Sequence, residues 1–128
     1  MKVFNSQICT SREQGERLLS LGLKPETADC ALFLNGNNEF EQLSKFGNWE
    51  KYADMLPAWS LHRLIEMMPK SIHFKNEDWY KIIYNNSVCY QRGQFSICRS
   101  CKGDLYEDIA NCIEWLIKEG YFNREYLV

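Results

Sequence analysis

The most regular hydrophobic pattern in the chain lies between Asp104 and Gly120. Its apolar positions share one side of an α-helix and are Leu105, Ile109, Cys112, Ile113 and Leu116. Asp104 is placed to cap the first turn, Glu107 is placed to complete a capping box, and Gly120 provides a left-handed end. The pattern therefore predicts an amphipathic helix whose apolar side must be covered by other elements.

Two shorter helices are predicted before it. Thr10 and Glu13 have the spacing of a capping box, and the helix that follows them ends at Gly22. Ser60 is placed as the N-cap of a second helix over residues 61–68, where apolar residues again recur with helical spacing. The chain thus has an N-terminal helix and two main helices.

Three segments rich in β-forming residues follow the second helix, at 71–75, 79–84 and 88–92. Turn sequences of hairpin length separate them, at 76–78 and 85–87, so the segments predict an antiparallel meander. The last strand is extended, or a fourth strand is formed, by Phe95, Ile97 and Cys98.

The alternation of side chains assigns faces to these strands. Ile72 and Phe74 share a face of their strand, and so do Tyr80, Ile82 and Tyr84. We expect the C-terminal helix to cover the face that these five side chains form.

The region before the second helix has weaker patterns. Residues 30–34 predict a short buried or edge strand, and residues 35–38 carry the strongest turn signal of the chain. Residues 39–56 place apolar, mostly aromatic side chains three residues apart among polar ones, which favours irregular or short helical structure laid over the core.

Together these elements predict an α+β fold, with a small antiparallel sheet of three to four strands packed against two main helices and an N-terminal helix. The length of 128 residues fits a single domain, 1–128, without the need for a disulfide or a structural metal. The aromatic tail after Gly120 is expected to fold back onto the domain or onto a partner.

Composition excludes several function classes. A formal charge of −2 argues against strong, sequence-independent attraction to nucleic acid or anionic lipid. No run has the roughly 18 apolar residues of a membrane span, and residues 1–14 lack the apolar region of a secretion signal. We therefore expect a cytoplasmic protein whose six cysteines are reduced thiols, with Cys112 in the core.

Cys98 and Cys101 form the one short motif with chemical meaning, because two thiols at this spacing can bind zinc or cycle through a disulfide. The further ligands that zinc would need are limited to Cys89, His62 and His73. The acidic start of the following helix also disfavours a thiolate. A zinc- or thiol-dependent activity is the third alternative, and we expect no cofactor.

A cysteine nucleophile activated by histidine would combine Cys89 or Cys98 with His62 or His73. No local sequence matches a nucleophile motif, and both histidines are predicted on polar surfaces. The sequence therefore favours a protein that is not an enzyme.

A nucleic-acid site is the second alternative. The acid-free stretch at residues 90–102 combines basic and aromatic side chains: Arg92, Arg99 and Lys102, with Tyr90 and Phe95. Three basic residues make a small footprint, and the acidic side chains of the following helix oppose a phosphate backbone. Nucleic acid is therefore a partner that the sequence does not favour.

Aromatic residues are more numerous than the interior of a small domain requires. The predicted interaction surface consists of Trp59, Trp115, Tyr121, Phe122 and Tyr126. Tyrosine and tryptophan are enriched where proteins meet proteins, although the same side chains would also cap a small core. The leading hypothesis is a non-catalytic interaction protein that binds a protein partner or a second copy of itself.

Five segments resemble short uncharacterised proteins encoded by phages and conjugative elements of gut Bacteroidetes: residues 22–29, 56–61, 64–69, 80–84 and 110–121. The resemblance implies a protein of a phage or mobile element in a bacterial cytoplasm. It implies no catalytic residue, because that family has no established activity.

Overall fold

The computed structural model describes residues 7–34, 40–44, 55–97 and 104–128, with the backbone alone for 34 and 40–44. The chain divides into two compact units, Met1–Arg63 and Leu64–Val128. Helices and antiparallel sheets occur together, so the predicted α+β class is confirmed. That the chain is one domain stays a prediction.

The first unit begins with helix α1, Arg12–Ser20. Its cap lies one residue later than predicted, because Ser11 Oγ accepts a hydrogen bond from Gln14 N at 3.2 Å while Gln14 Oε1 accepts one from Ser11 N at 2.9 Å. Thr10 points into the interior instead: its Oγ1 accepts from Trp59 N at 3.1 Å, and its own N donates to Trp59 O at 2.9 Å. The predicted Thr10 and Glu13 capping box is therefore wrong, although the helix is confirmed.

The predicted end of α1 at Gly22 is confirmed. Gly22 has a φ of 105°, and Leu23 N donates to Leu18 O at 3.2 Å, as in a Schellman stop. Leu18 and Leu23 are both fully buried, so the turn fixes the helix end onto the interior.

Three strands form the first sheet, in the order β2, β1, β3. Strand β1, Cys30–Leu34, lies in the centre and pairs antiparallel with β2, Phe40–Ser44, and with β3, Met55–Ala58. The prediction of irregular or short helical structure over residues 39–56 is therefore wrong for the residues of both outer strands. Pairing with β1 determines their conformation more strongly than the three-residue spacing of their apolar side chains. The predicted turn at 35–38 and residues 45–54 lie outside the described residues.

Helix α1 packs on the edge strand β3. A Cβ atom added at Gly15 would lie 3.1 Å from Pro57 O, so the absence of a side chain permits this close approach. Pro57 is tolerated because an edge strand has one side without ladder hydrogen bonds.

Helix α2, Leu61–Met67, is capped by Ser60 as predicted, since Ser60 Oγ accepts from Arg63 N at 3.1 Å. The second sheet follows it, in the order β4, β5, β6, β7. The strands are Ser71–Phe74, Glu77–Ile83, Val88–Arg92 and Phe95–Ile97. The last of them is the fourth strand that the sequence left as an alternative.

The first hairpin of this sheet has a two-residue turn. Lys75 and Asn76 have φ values of 52° and 63°, and Phe74 pairs with Glu77. The sequence had placed the turn at 76–78, which would start the next strand at Trp79. The shorter turn instead pairs Ile72 with Trp79, which places Trp79 on the face of Ile72 and Phe74.

Helix α3, Leu105–Lys118, is capped as predicted, because Asp104 Oδ1 accepts from Tyr106 N at 3.0 Å. It packs on β6, and its apolar side is buried. Gly120 ends it with a φ of 80°. The tail folds back as expected: Phe122 is buried, and a 3₁₀ turn follows at Arg124–Tyr126.

Lys81 fastens the end of α2 to the second sheet. Its Nζ donates to Ile65 O at 2.7 Å and to Met68 O at 3.1 Å, while its backbone N donates to Lys70 O at 2.9 Å. A cation suits this position because the last carbonyls of a helix carry partial negative charge.

Replacing Lys81 by Met should lower the free energy of unfolding by about 1 to 2 kcal/mol, because two charge-assisted hydrogen bonds are lost while the apolar stem is kept. Urea denaturation measures the change. Lys70→Met, at an exposed neighbouring lysine, is the control and should change stability by less than about 0.5 kcal/mol. Equal effects of the two substitutions would contradict the fastening role.

Cys9 and Cys30 lie in one buried cluster of the first unit, with Leu32 and Ala58. Burial is the main cause that raises the pKa of Cys9 from 9.0 to about 12 and that of Cys30 to about 11. The unfolded chain therefore releases these protons first as the pH rises. The stability contributed by the neutral thiols is complete below about pH 9 and is lost as the pH rises through the two raised values.

Urea denaturation at neutral pH and at pH values between the ordinary and raised pKa values should show this loss. The Cys9→Ala/Cys30→Ala variant should lose less stability over the same interval, because it lacks both thiols while it keeps every lysine and tyrosine. An equal loss in both proteins would mean that other groups cause the alkaline destabilisation.

Candidate interaction surface

Two of the five predicted surface aromatics lie in the interior. Trp59 is fully buried, and Phe122 is 4% exposed. The expected exposure of these two side chains is therefore wrong. Trp115, Tyr121 and Tyr126 are half-buried, and a role for them in binding stays a prediction.

Trp59 has a structural position because its polar atoms are bonded inside the first unit. Its Nε1 donates to Thr27 Oγ1 at 2.9 Å, and Thr27 Oγ1 donates in turn to Lys24 O at 2.6 Å. A buried indole usually finds such a partner. This tryptophan therefore joins the start of α1 to the turn before β1.

Trp115 and Tyr121 belong to an aromatic cluster in the second unit, together with Phe74 and Trp79. The ring of Phe74 lies edge-on to the other three, with centroids 6.3 Å from Trp79, 6.3 Å from Trp115 and 6.5 Å from Tyr121. Trp115 and Tyr121 are 5.7 Å apart. Each such pair contributes about 0.5 to 1.5 kcal/mol beyond the area that it buries. The cluster thus holds α3 and the chain after it against the first hairpin.

Tyr126 has a different neighbour. Its ring lies 6.0 Å from that of the buried Phe122, within the tail that folds back. The five predicted residues therefore do not form one surface. The second unit brings Trp115 together with Tyr121, and Phe122 together with Tyr126.

The opposite face of the second sheet carries the exposed aromatics that the sequence placed under α3. Tyr80 is 57% exposed, Ile82 is 36% exposed and Tyr84 is 45% exposed. The expectation that α3 covers these three side chains is wrong, because the two-residue turn places Trp79 on the covered face and Tyr80 on the other. We call the side of the sheet with Tyr80, Ile82 and Tyr84 the open face.

A signal for the open face is present in the sequence. Both alternating sets of β5 contain large apolar side chains, so alternation alone cannot select the buried one. The length of the loop before β5 decides which set is buried. Asn tolerates the left-handed conformation, and hairpins favour two-residue turns, so a turn that ends at Asn76 was available from general rules.

Hydrogen bonds order the side chains of the open face. Tyr84 Oη donates to Gln91 Oε1 at 2.7 Å, and Gln91 Nε2 donates to Gly93 O at 2.8 Å. At the edge strand, His73 Nδ1 lies 3.0 Å from Asp78 Oδ1, its cross-strand partner. Binding would therefore cost less side-chain entropy than on a surface of unrestrained side chains.

The open face carries little charge. By register, its described residues in the strands and just after β5 are Ser71, His73, Asp78, Tyr80, Ile82, Tyr84, Cys89, Gln91 and Ser96. Of these, Cys89, the cross-strand partner of Ile82, is buried. Neither lysine nor arginine occurs among them. The one carboxylate, Asp78, is paired with His73.

His73 and Cys89 lie too far apart to form the catalytic pair that the sequence suggested as an alternative. The two residues lie on β4 and β6, with β5 between them, and their partners Asp78 and Ile82 are four residues apart on β5. With strands about 4.8 Å apart and a rise of about 3.3 Å per residue, they are too distant for a hydrogen bond. Cys89 is also buried.

Metal chemistry has no site among the residues that the structure describes, where no three His, Cys, Asp or Glu side chains converge as metal ligands would. Cys98 and Cys101 lie outside those residues. Four other cysteines, Cys9, Cys30, Cys89 and Cys112, are buried thiols that form no disulfide, which confirms the expected core position of Cys112.

Searches of protein-family models, curated proteins and solved structures gave no significant match to this chain. Among the described helices, none combines the length and the apolar character needed to cross a bilayer.

Replacing Phe74 by Ala should lower the free energy of unfolding by about 2 to 3 kcal/mol, because this ring contacts three others at once. Thermal or urea denaturation measures the loss. Phe95→Ala removes the same atoms at a side chain that is 72% exposed and should change stability by less than about 0.5 kcal/mol. A Phe74 variant as stable as the Phe95 variant would show that the cluster does not hold α3.

Proposed function

We propose that the protein is a non-catalytic interaction protein that binds another protein surface through the open face of its second sheet, with a second copy of the chain as the first candidate. The observation that carries the proposal is the exposure of three large side chains on one face of the sheet, Tyr80, Ile82 and Tyr84. Their exposed apolar area favours the binding of a partner, since exposed apolar patches rimmed by polar groups mark interaction sites.

The chemistry of the open face supports a protein partner. Tyrosine provides a large contact area together with a hydroxyl group that can bond a polar partner, and isoleucine provides apolar contact between the two tyrosines. A nearly neutral face also permits two identical copies to meet, because no block of like charges would be brought together.

The nucleic-acid alternative has less support. Tyr90, one of the two aromatic residues predicted to stack on bases, is fully buried, and its Oη donates to Pro69 O at 2.6 Å. Arg92 is paired with Glu77 at 3.0 Å. Arg99 and Lys102 lie outside the described residues. Phosphate binding depends on clustered cations, and the described open face carries none.

The biological setting is part of the proposal. The resemblance to proteins of phages and conjugative elements supports a role in a mobile element within a bacterial cytoplasm. An interaction protein without catalytic residues fits that setting.

The test is the molecular mass in solution, measured by light scattering or sedimentation over a wide range of protein concentration. We expect the wild-type protein to associate and the Ile82→Asp variant to raise the Kd of association by at least about tenfold, because a carboxylate would be desolvated at the centre of the face.

Phe95→Asp is the matched control, since Phe95 is more exposed than Ile82 but lies on the other face by register. It should leave the association unchanged. Wild-type protein with the mass of one chain at every concentration would overturn self-association. An equal effect of both substitutions would overturn the assignment to the open face.

A further inference from the structure

Cys9 and Cys30 form a pair of thiols in the interior of the first unit. The two side chains share one buried cluster, in which each thiol affects the pKa of the other, although 21 positions separate them in the chain. Cys9 precedes α1, and Cys30 begins the central strand β1. A covalent link between them would close a loop that contains the whole of α1.

We propose that Cys9 and Cys30 are an oxidation site, at which a peroxide converts the two neighbouring thiols into a disulfide that ties the N-terminal segment to β1. Their shared place in one buried cluster carries the proposal, because a disulfide needs two cysteines that lie close together in the folded chain. The proposal is independent of the binding function of the open face.

The reaction balances with hydrogen peroxide as the oxidant. Cys30 reacts first, because it is 6% exposed and Cys9 is fully buried. Its thiolate attacks one peroxide oxygen, the O–O bond breaks, and a sulfenic acid forms while the leaving hydroxide takes up the proton that Cys30 released and becomes water. Cys9 Sγ then attacks the sulfenic sulfur, the S–O bond breaks, and a second water leaves with the Cys9 proton. The two thiols lose two electrons, and the peroxide gains them.

Burial makes the reaction selective rather than fast. The neutral thiol is favoured at both positions, so attack requires a transient opening of the N-terminal segment. Two hydrogen bonds between Thr10 and Trp59, the residue that follows β3, hold that segment in place. A disulfide would replace this reversible attachment by a covalent one, which a thiol reductant would release.

The test maps disulfides by mass spectrometry in the Cys98→Ser/Cys101→Ser background, which removes the two cysteines that are neighbours in the sequence. Folded protein is treated with hydrogen peroxide, and a parallel sample is treated in guanidinium chloride. Trypsin separates Cys9 from Cys30 at Arg12 and Arg17, so the link appears as two joined peptides that are two hydrogen masses lighter than their sum.

We expect the link between Cys9 and Cys30 to dominate in folded protein, and the denatured sample to show no such preference. The oxidised protein should have a higher Tm, and dithiothreitol should restore both the mass and the Tm. Cys112→Ala, at another fully buried cysteine, is the control and should leave the link unchanged.

Two results would overturn the proposal. One is a link that is no more frequent in folded than in denatured protein. The other is folded protein in which Cys9 and Cys30 stay thiols or are oxidised separately to sulfinic acids. Neither result depends on whether a variant at Cys9 or Cys30 folds.

Discussion

The face of the second sheet that α3 covers is set by a turn of two residues. Lys75 and Asn76 both adopt positive φ, which lets Phe74 pair with Glu77 and Ile72 with Trp79. A shift by one residue would exchange the two faces of β5, because side chains alternate along a strand. The buried aromatic cluster and the open face therefore have the same cause.

The register is reinforced by contacts on the covered side. Phe74 touches three aromatic rings at once, and Trp79 Nε1 donates to Phe74 O at 3.2 Å across the hairpin. Lys81, two residues further on the same face, reaches the last carbonyls of α2. These contacts are lost if β5 is turned over. They stabilise one register and leave Tyr80, Ile82 and Tyr84 to solvent.

The two units use aromatic side chains in different ways. Trp59 is fully enclosed and hydrogen-bonded to Thr27 and Thr10, so it is a structural residue of the first unit. The second unit distributes its aromatics between an interior cluster and the surface. An excess of aromatic residues in a sequence therefore does not identify which of them are available to a partner.

The helices were the most predictable part of the fold. Their ends depend on local chemistry, as at Asp104 and Gly120, and a stripe of apolar residues is easily recognised. The cap of α1 was displaced by one residue because Ser11 and Thr10 are both good caps locally, and only the contact of Thr10 with Trp59 decides between them. That contact joins residues far apart in the sequence.

The outer strands of the first sheet and the open face were not predicted, for a related reason. Strands β2 and β3 have little pattern of their own and are defined by pairing with β1. Predicting the open face required the length of the turn before β5, because the alternation of apolar residues along β5 does not show which face is buried. Trp59 and Phe122, which the sequence placed on the surface, are therefore buried. Tyr80, Ile82 and Tyr84, which it placed under the C-terminal helix, are exposed.

The register of the first hairpin in the second sheet determines which side chains are buried, and nuclear Overhauser contacts between its backbone and side-chain protons test that register most directly. The structure predicts cross-strand contacts between Ile72 and Trp79 and between Phe74 and Glu77, together with ring contacts from Phe74 to Trp115. Cross-strand contacts that pair Ile72 with Tyr80, with Tyr80 rather than Trp79 close to the protons of α3, would contradict it.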